Sequence, residues 1–333
     1  MTELIAEIGQ AHDGSLGNVY AFIDEMANCG VDTMKFQMHI AAAESSSLEP
    51  FRVKFSKQDK TRFDYWKRME FSFNQWVDIK NYTEAKGMEF LCSPFSMQAF
   101  EWMEKLGVNR YKIASGEVSN FLLLDAIAGT GKKVIISSGM SSYDELEEAI
   151  KRFQKNNCEV ELMQCTTAYP TPANKVGINV IHRLREKFNV PVGLSDHSGE
   201  IYPGLAAATI GAQHVEFHIV FHKHQFGPDS SSSLDPMQVK QLVIGTKFIN
   251  EMNQSEIDKD LFAKELSPLK TVFGKSLAWR RSLKKGTIIA IDDLESKKPG
   301  GQGIRACDYQ FIVGKTLIND VVEQSFVKEQ DYE

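Results

Sequence analysis

Two lysines and two serines stand at the ends of short apolar runs, where a buried strand normally carries no charge. In "YKIASGEVSN" (111–120), Lys112 and Ser115 interrupt such a run, and Lys35 and Ser137 do the same in "TMKFQ" and "KVIISSG". Two cations with two hydroxyls are suited to holding the phosphate and carboxylate of one small anion. The alternative is that each lysine forms a structural ion pair with a nearby glutamate. We favour anion binding, because a buried lysine without a partner is costly.

Two histidines follow neighbouring runs, His197 in "SDH" and His218 in "EFH". Their imidazoles can converge on one divalent cation, with Glu216 or water completing the shell. The alternative is that hydrogen bonds satisfy each histidine separately. Two histidines with oxygen ligands suit Mn²⁺, Mg²⁺ or Co²⁺ comparably. His222 and His224 lie in "FHKHQ" and are expected to be solvated loop residues.

Three further residues are candidates for chemistry. Glu7 follows "LIA", where its carboxylate can act as a general acid or base beside the metal or as a structural partner of Lys35. Asp229 lies in the hydroxyl-rich "GPDSSSSLDP" (227–236), which is either a loop that closes over a polyol or a surface loop without a role. Cys165 has no histidine beside it in sequence and is expected to be a buried apolar thiol.

The elements that position these residues are eight short β-like runs, most of them separated by helical patterns. The runs cover residues 4–9, 33–37, 89–94, 110–115, 133–139, 159–165, 190–196 and 214–219. Eight alternating units are the number that a (β/α)8 barrel requires, and such barrels place their active sites at the C-terminal ends of the strands. Residues two apart on a strand share a face, so Lys35 with Gln37, and Glu216 with His218, can point into the barrel mouth.

The connecting segments are predicted to be helices. Apolar residues recur with a period near 3.6 in 19–26 and 146–153, and Ser142 with Glu145 forms a capping-box pattern that predicts a helix start. A ninth helix is expected over 236–252. The domain prediction is a barrel over 1–255, a polar, aperiodic linker over 256–276 and a small domain over 277–333.

Composition limits the partners. The net charge of −6 gives no general attraction to nucleic acid or anionic membranes, and neither is expected as a partner. The five cysteines form an odd, scattered set, as free thiols in the cytoplasm do. The N-terminal segment lacks the pattern of an export signal, and no apolar run reaches the ~20 residues of a membrane span.

Eight ordered motifs resemble the sialic acid synthase family, which includes N-acetylneuraminate synthase and its legionaminate and pseudaminate relatives. They are "EIGQAHDGS", "KFQMH", "SPFS", "YKIASGE", "SSGM", "CTTAYPTP", "GLSDHS" and "FGPDSSSS". The tail "SLKKGTIIAIDDLESKKPGGQGI" resembles the C-terminal SAF (antifreeze-like) domain of that family. The resemblance covers almost the whole chain. It implies an α/β fold, a TIM barrel followed by a small SAF β-clip domain.

The resemblance also implies a reaction. Phosphoenolpyruvate would condense with the open-chain aldehyde of an N-acylated hexosamine, releasing phosphate by C–O cleavage. Matched by motif, the catalytic residues would be Glu7, Lys35, Lys112 and Glu117. The substrate-binding residues would be Gln37, Ser115, Ser137, Thr167, Tyr169, Asp229 and Lys298, and the metal ligands His197 and His218. The metal, Mn²⁺ by preference with Mg²⁺ or Co²⁺ as alternatives, would act as a Lewis acid, and a domain-swapped homodimer is implied.

The chain departs from the family pattern at three positions. Thr167 stands where the family commonly has asparagine, Lys298 where it has arginine, and Phe36 where it often has histidine. Lysine cannot reproduce a bidentate guanidinium contact, so the contact to the sugar and the identity of the acceptor stay open.

Three other functions remain as alternatives. A legionaminate- or pseudaminate-type synthase would use a 2,4-diacetamido hexose. A sugar-phosphate-dependent synthase would need further basic residues, whereas the loop after the eighth strand offers aspartate and serine. A non-catalytic binding protein would not require the polar set at the barrel rim.

Overall fold

Eight parallel strands lie at the centre of the first of two units, Met1–Ser255, in a computed structural model that describes residues 1–333. The strands are β1 (Glu3–Glu7), β2 (Thr33–Met38), β3 (Glu89–Pro94), β4 (Arg110–Ile113), β5 (Lys133–Ser137), β6 (Val160–Cys165), β7 (Val192–Asp196) and β8 (His214–His218). Their order is β3-β2-β1-β8-β7-β6-β5-β4, and β3 contacts β4, so the sheet closes on itself. The prediction of an eight-stranded (β/α) barrel is confirmed.

Ten helices accompany these strands. They are α1 (Leu16–Cys29), α2 (Ala41–Glu44), α3 (Arg62–Met69), α4 (Phe73–Ala85), α5 (Met97–Leu106), α6 (Phe121–Ala128), α7 (Tyr143–Lys155), α8 (Ile178–Phe188), α9 (Tyr202–Thr209) and α10 (Pro236–Gln254). The predicted capping box begins α7, where the Ser142 hydroxyl accepts from the backbone N–H of Glu145 and the Glu145 carboxylate accepts from that of Ser142. None of the helices combines the length and apolar character needed to cross a membrane.

The alternation along the strands decides which side chains face the helices and which face the barrel axis. Phe36 of β2 belongs to the large core formed with the helices. A smaller buried cluster lies elsewhere on the strands and consists of Ile5, Leu91, Ile135 and Met163. The residues two positions further along β1 and β5, Glu7 and Ser137, are polar and buried. The strands therefore carry polar groups at their carboxyl ends above an apolar layer.

A second polar cluster closes the other end of the barrel, at the starts of the strands. Arg110 donates to Glu3 and Glu89. His214 bridges two carboxylates, with Nδ1 2.7 Å from Glu3 Oε2 and Nε2 2.6 Å from Glu161 Oε2. Burial disfavours the charged imidazole, but these carboxylates raise the pKa of His214 above its usual value. In barrels of this kind this end contributes to stability, whereas functional sites are built at the opposite end.

The second unit, Glu256–Glu333, contains helices α11 (Lys259–Glu265) and α12 (Ser267–Phe273) and the antiparallel strands β9 (Ser276–Trp279) and β10 (Leu294–Lys297). Its core is Leu277, Trp279, Ile289, Ile312, Leu317, Val321 and Val327. The segment expected to be an irregular linker thus holds two helices. Each is seven residues long, too short for a helical period to show in the sequence, and Asp258 caps the first.

Candidate functional site

A polar cavity of about 380 Å³ lies at the C-terminal ends of the barrel strands. Eleven of the predicted site residues line it: Lys35, Gln37, Lys112, Ser115, Glu117, Ser137, Thr167, Tyr169, His197, His218 and Asp229. Glu7 is fully buried and forms an ion pair with Lys35. Lys298 belongs to the second unit, where its ammonium lies 5.4 Å from the centroid of the Phe273 ring. The roles of these residues remain predictions.

Two buried lysines share one carboxylate at the barrel mouth. The ammonium groups of Lys35 and Lys112 lie 3.7 Å and 3.5 Å from opposite oxygens of Glu216. Lys112 also donates to the Ser137 hydroxyl, and Ser195 donates to Glu216 at 3.0 Å. Burial opposes ionisation of Glu216, but Lys112 and Lys35 hold its pKa well below the usual value. The sequence left two interpretations of these lysines, anion binding and structural ion pairing. The structure is compatible with both, since the lysines are ion-paired and also line the cavity.

Two buried carboxylates face the two lysines: Glu7 pairs with Lys35, and Glu216 lies between both ammonium groups. Burial lowers the pKa of the Lys35 ammonium, because the charged form loses its hydration. Lys112 is only 2% exposed, and its nearest carboxylate is shared with Lys35. An anionic ligand in the cavity would give Lys112 a negatively charged partner that it does not share with Lys35.

A glycine makes room for two of the predicted binding hydroxyls. A Cβ on Gly139 would clash with Ser115 Oγ and Thr167 Oγ1, so a side chain there would displace both hydroxyls. The Ser115 hydroxyl also lies 3.6 Å from the sulfur of Cys165. Cys165 is buried, as predicted, but it lines the cavity and its sulfur is 3.9 Å from His197 Nδ1. The fold brings together partners that are distant in sequence.

His197 and His218 meet as predicted, with ring centroids 5.2 Å apart. His197 Nδ1 donates to the Thr166 carbonyl at 3.1 Å, which leaves Nε2 with its lone pair, 3.2 Å from the Tyr169 hydroxyl. Burial lowers the pKa of both histidines, to about 3 for His197, so both imidazoles are neutral, the form that binds a metal.

This arrangement fits a divalent metal with an open coordination shell. A hydrogen bond from the second ring nitrogen to a carbonyl is the usual way in which a protein orients a metal-binding histidine. No third histidine, cysteine, aspartate or glutamate completes a metal-binding group. Glu216, one expected alternative, is instead engaged by the two lysines and Ser195. Water and substrate oxygens would therefore supply the remaining ligands.

Carboxylates and amides line the rest of the cavity. Burial raises the pKa of Glu117, whose Oε2 accepts a hydrogen bond from Asn120 at 2.7 Å. The Gln37 carbonyl oxygen accepts from the Gln10 amide at 2.5 Å and lies 3.0 Å from His39 Nε2. These groups present hydrogen-bond donors and acceptors of the kind that a polyhydroxylated ligand requires.

The sequence analysis missed one wall of the cavity. It consists of Gln10, His39, Glu44, Glu49, Arg52, Arg62, Trp66 and Phe95. Most of these residues follow β2 in the chain, between positions 39 and 66. The available signal was the position of this segment, because the loop after a barrel strand faces the active-site end. Its 17 irregular residues, 45–61, form an uncommonly long loop, which is another mark of function.

Two comparisons with curated proteins cover nearly the whole chain. It is 30% identical to the N,N'-diacetyllegionaminic acid synthase of Campylobacter jejuni, over 98% of this chain and 99% of that protein. It is 31% identical to the human N-acetylneuraminate-9-phosphate synthase, over 98% of this chain and 91% of that protein. Among solved structures, the N-acetylneuraminic acid synthetase of Leptospira borgpetersenii, determined with citrate, matches with a TM-score of 0.71 at 27% identity, over 82% of this chain and 92% of that chain.

The family comparison agrees with the division into a barrel unit and a smaller C-terminal unit. The chain matches the NeuB family over residues 22–258 and the SAF domain over residues 274–333. The resemblance stated from the eight sequence motifs is therefore confirmed. The chain belongs to the NeuB family, that of the sialic, legionaminic and pseudaminic acid synthases, and carries a C-terminal SAF domain.

Proposed function

We propose that this protein condenses phosphoenolpyruvate with an open-chain amino sugar of the N-acetylmannosamine type and releases phosphate by cleavage of a C–O bond. The observation that carries the proposal is the pair of buried lysines, with their serine partner, in one cavity with two histidines. The names of the relatives, which are synthases of nine-carbon sugar acids, support it.

The reaction requires a bound trianion and a route for protons. Lys35 and Lys112 would hold the phosphate and carboxylate of phosphoenolpyruvate, with Ser115 and Ser137 donating to their oxygens. The C3 carbon of phosphoenolpyruvate bonds to the aldehyde carbon, whose oxygen takes up a proton. Water adds to C2 and loses two protons: one passes to Glu7, which can supply the proton that the aldehyde oxygen takes up. The other leaves with phosphate as the C2–O bond breaks to give a 2-keto acid. Glu7 is suited to this because its carboxylate is fully buried beside Lys35.

The sugar would lie against the remaining polar residues. Glu117, Gln37, Thr167, Tyr169 and Asp229 would bind its hydroxyl and N-acyl groups, and Lys298 is retained as a proposed contact. A divalent metal held by His197 and His218, Mn²⁺ by preference, would polarise the aldehyde when bound. The expected homodimer and cytoplasmic location stay predictions, and light scattering of the full chain tests the first.

The test is phosphate release from phosphoenolpyruvate with Mn²⁺ across a panel of acceptors: N-acetylmannosamine, its 6-phosphate, 2,4-diacetamido hexoses and arabinose 5-phosphate. The active-site variant is His218→Ala. The matched control is His222→Ala, since His222 is an exposed loop histidine that packs against His224. We expect release with an amino sugar that is lost in His218→Ala and kept in His222→Ala.

The panel also separates the alternatives. Release with a 2,4-diacetamido hexose would make the protein a legionaminate- or pseudaminate-type synthase. Phosphate release only with arabinose 5-phosphate would instead identify the protein as a sugar-phosphate-dependent synthase. No release with any acceptor, from a folded protein that has bound Mn²⁺, would contradict the proposal and favour a binding protein.

A further inference from the structure

The wall of the cavity formed by residues 39–66 carries two arginines to which the proposed reaction gives no role. Arg52 lies in the loop after α2, and Arg62 is the first residue of α3. Both line the same cavity as the lysines and histidines. A guanidinium group carries a positive charge and five N–H donors in one plane. The question for each arginine is therefore which groups accept its hydrogen bonds.

Arg62 is largely buried yet has no hydrogen-bond acceptor within the protein. Its side chain is 15% exposed, and its ion-pair partner Glu49 has Oε1 3.5 Å from Arg62 Nε, too far for a good hydrogen bond. The Asp229 carboxylate also stabilises the charge of Arg62 without accepting a hydrogen bond from it. Both oxygens of Glu49 already accept from the Trp66 indole, at 3.2 and 3.0 Å. Burial lowers the pKa of the Arg62 guanidinium, the sign of a cation that has lost hydration. Its N–H groups are therefore free to donate to a ligand in the cavity that Arg62 lines.

The orientation of Arg62 is fixed by a column of stacked rings. Phe95, His39 and Trp66 stack in succession, with centroids 4.5 Å and 3.9 Å apart, and the Arg62 guanidinium lies 4.1 Å over the Trp66 ring. The Glu44 carboxylate lies 2.7 Å from His39 Nδ1 and holds the middle ring in place. A side chain held in this way has already lost its rotamer freedom, so little further entropy is lost when a ligand binds.

Arg52 is only partly engaged. One of its nitrogens donates to Asp229 at 2.5 Å, and its guanidinium lies 4.0 Å over the Tyr169 ring. The other guanidinium nitrogens have no acceptor in the protein. Each arginine has a carboxylate beside it, but Arg52 donates a hydrogen bond to Asp229 whereas Arg62 donates none to Glu49, so Arg62 is the stronger candidate for binding an anion.

We infer that Arg62, assisted by Arg52, binds an oxyanion on the acceptor sugar, a phosphate or a carboxylate remote from the reacting aldehyde. The planar guanidinium fork matches either oxyanion in a two-bond contact. The inference rests on the proposed function and specifies its acceptor. From the sequence, the loop after β8 offered no basic residue for a charged acceptor. In the structure the basic residues come instead from the segment after β2.

The experiment compares three acceptors that differ only at C6: N-acetylmannosamine, its 6-phosphate and N-acetylmannosaminuronic acid. Each is assayed with the wild-type chain, Arg62→Gln and Arg62→Lys. The matched control is Arg152→Gln, since the Arg152 guanidinium also stacks on a ring, 3.8 Å from the Phe121 centroid, and pairs with Asp125, but lies outside the cavity. Thermal unfolding of each variant checks that it is folded.

We expect kcat/KM to be higher for one charged acceptor than for the neutral sugar. The better charged acceptor identifies phosphate or carboxylate as the group bound. Arg62→Gln should lower the ratio of charged to neutral kcat/KM by roughly 10- to 100-fold, the range for a lost charged hydrogen bond. Arg62→Lys should fall in between, and Arg152→Gln should keep the wild-type ratio.

Two outcomes would overturn the inference while leaving the proposed function intact: a neutral sugar that reacts as well as both charged ones, or an Arg62→Gln variant that slows all three equally. If no acceptor releases phosphate, the proposed function fails, and calorimetric titration of the two charged sugars still decides the anion site. Binding that is weakened in Arg62→Gln supports the site, whereas equal binding or none in wild type and variant refutes it.

Discussion

Replacing Glu161 by glutamine should destabilise the barrel without touching the cavity. Glu161 is 1% exposed and accepts from His214 Nε2 at 2.6 Å and from Lys133 at 2.8 Å. The glutamine keeps the shape of the side chain but removes its charge. His214 then remains buried and retains only Glu3 as a charged partner.

The magnitude follows from these two contacts. A hydrogen bond to a charged group is worth about 1.5–3 kcal/mol, and the His214 contact is buried on both sides. The Lys133 contact adds little, because Lys133 is 28% exposed and keeps Glu159 as a partner at 3.0 Å. We expect a loss of about 2–3 kcal/mol. For a unit of this size the barrel transition should melt roughly 4–12 °C lower.

The loss should depend on pH with a definite sign. The raised pKa of His214 makes its contribution complete below its unfolded pKa of about 6.5, and the contribution is lost as pH rises through the folded value. The lowered pKa values of Glu161 and Glu3 make theirs complete above about 4.3 and lost as pH falls. Arg110 and Lys133, which face the same cluster, stay charged throughout. The difference between wild type and variant should therefore be greatest between about pH 4.5 and 6.5.

The assay is calorimetric unfolding from pH 4 to 8, and the matched control is Glu159→Gln. Glu159 pairs with the same lysine but is 64% exposed, so its replacement should cost less than about 1 kcal/mol. The reasoning would be refuted if Glu161→Gln were no less stable than Glu159→Gln, or if its deficit were the same at all pH values.

Three further predictions concern the cavity. Lys112→Met should lower kcat/KM for phosphoenolpyruvate at least about 100-fold, because a buried contact to the substrate anion is lost. The control Lys105→Met, on α5, should keep the wild-type kcat/KM. Equal kcat/KM values for the two variants would contradict the proposed role of Lys112. Gly139→Ala should raise KM for phosphoenolpyruvate, since its Cβ would displace two hydroxyls, and the control Gly129→Ala meets no contact under 3.4 Å and should behave as wild type. Removal of divalent metal with a chelator should abolish phosphate release and Mn²⁺ should restore it; full activity after chelation would exclude the proposed metal role.

Much of the catalytic end could be predicted from the sequence, because parallel strands bring their carboxyl ends to one rim. Lys112 and His218 end or nearly end their strands, and Lys35 shares the barrel-facing side of β2 with Gln37 near its end, so knowing the strands was enough to expect them together. The capping box at Ser142 was equally local. The predictions succeeded where a residue's position depends on its own strand or helix.

The missed residues depend on contacts between segments that no local pattern relates. Arg62 faces the cavity because a loop of 17 irregular residues folds back over the barrel and a column of rings holds it there. The two short helices of the predicted linker were missed for a similar reason, since seven residues do not establish a period.

The sequence by itself determined the eight strands, the polar groups at their ends and the family, because strand alternation and the order of motifs are properties of the chain. Only the tertiary structure decided how these groups are paired: that Glu216 serves two lysines, that His197 presents Nε2, and that Arg62 is left without an acceptor. Pairing depends on distances of a few ångströms between residues far apart in sequence, and those distances are set by the packing of the whole barrel.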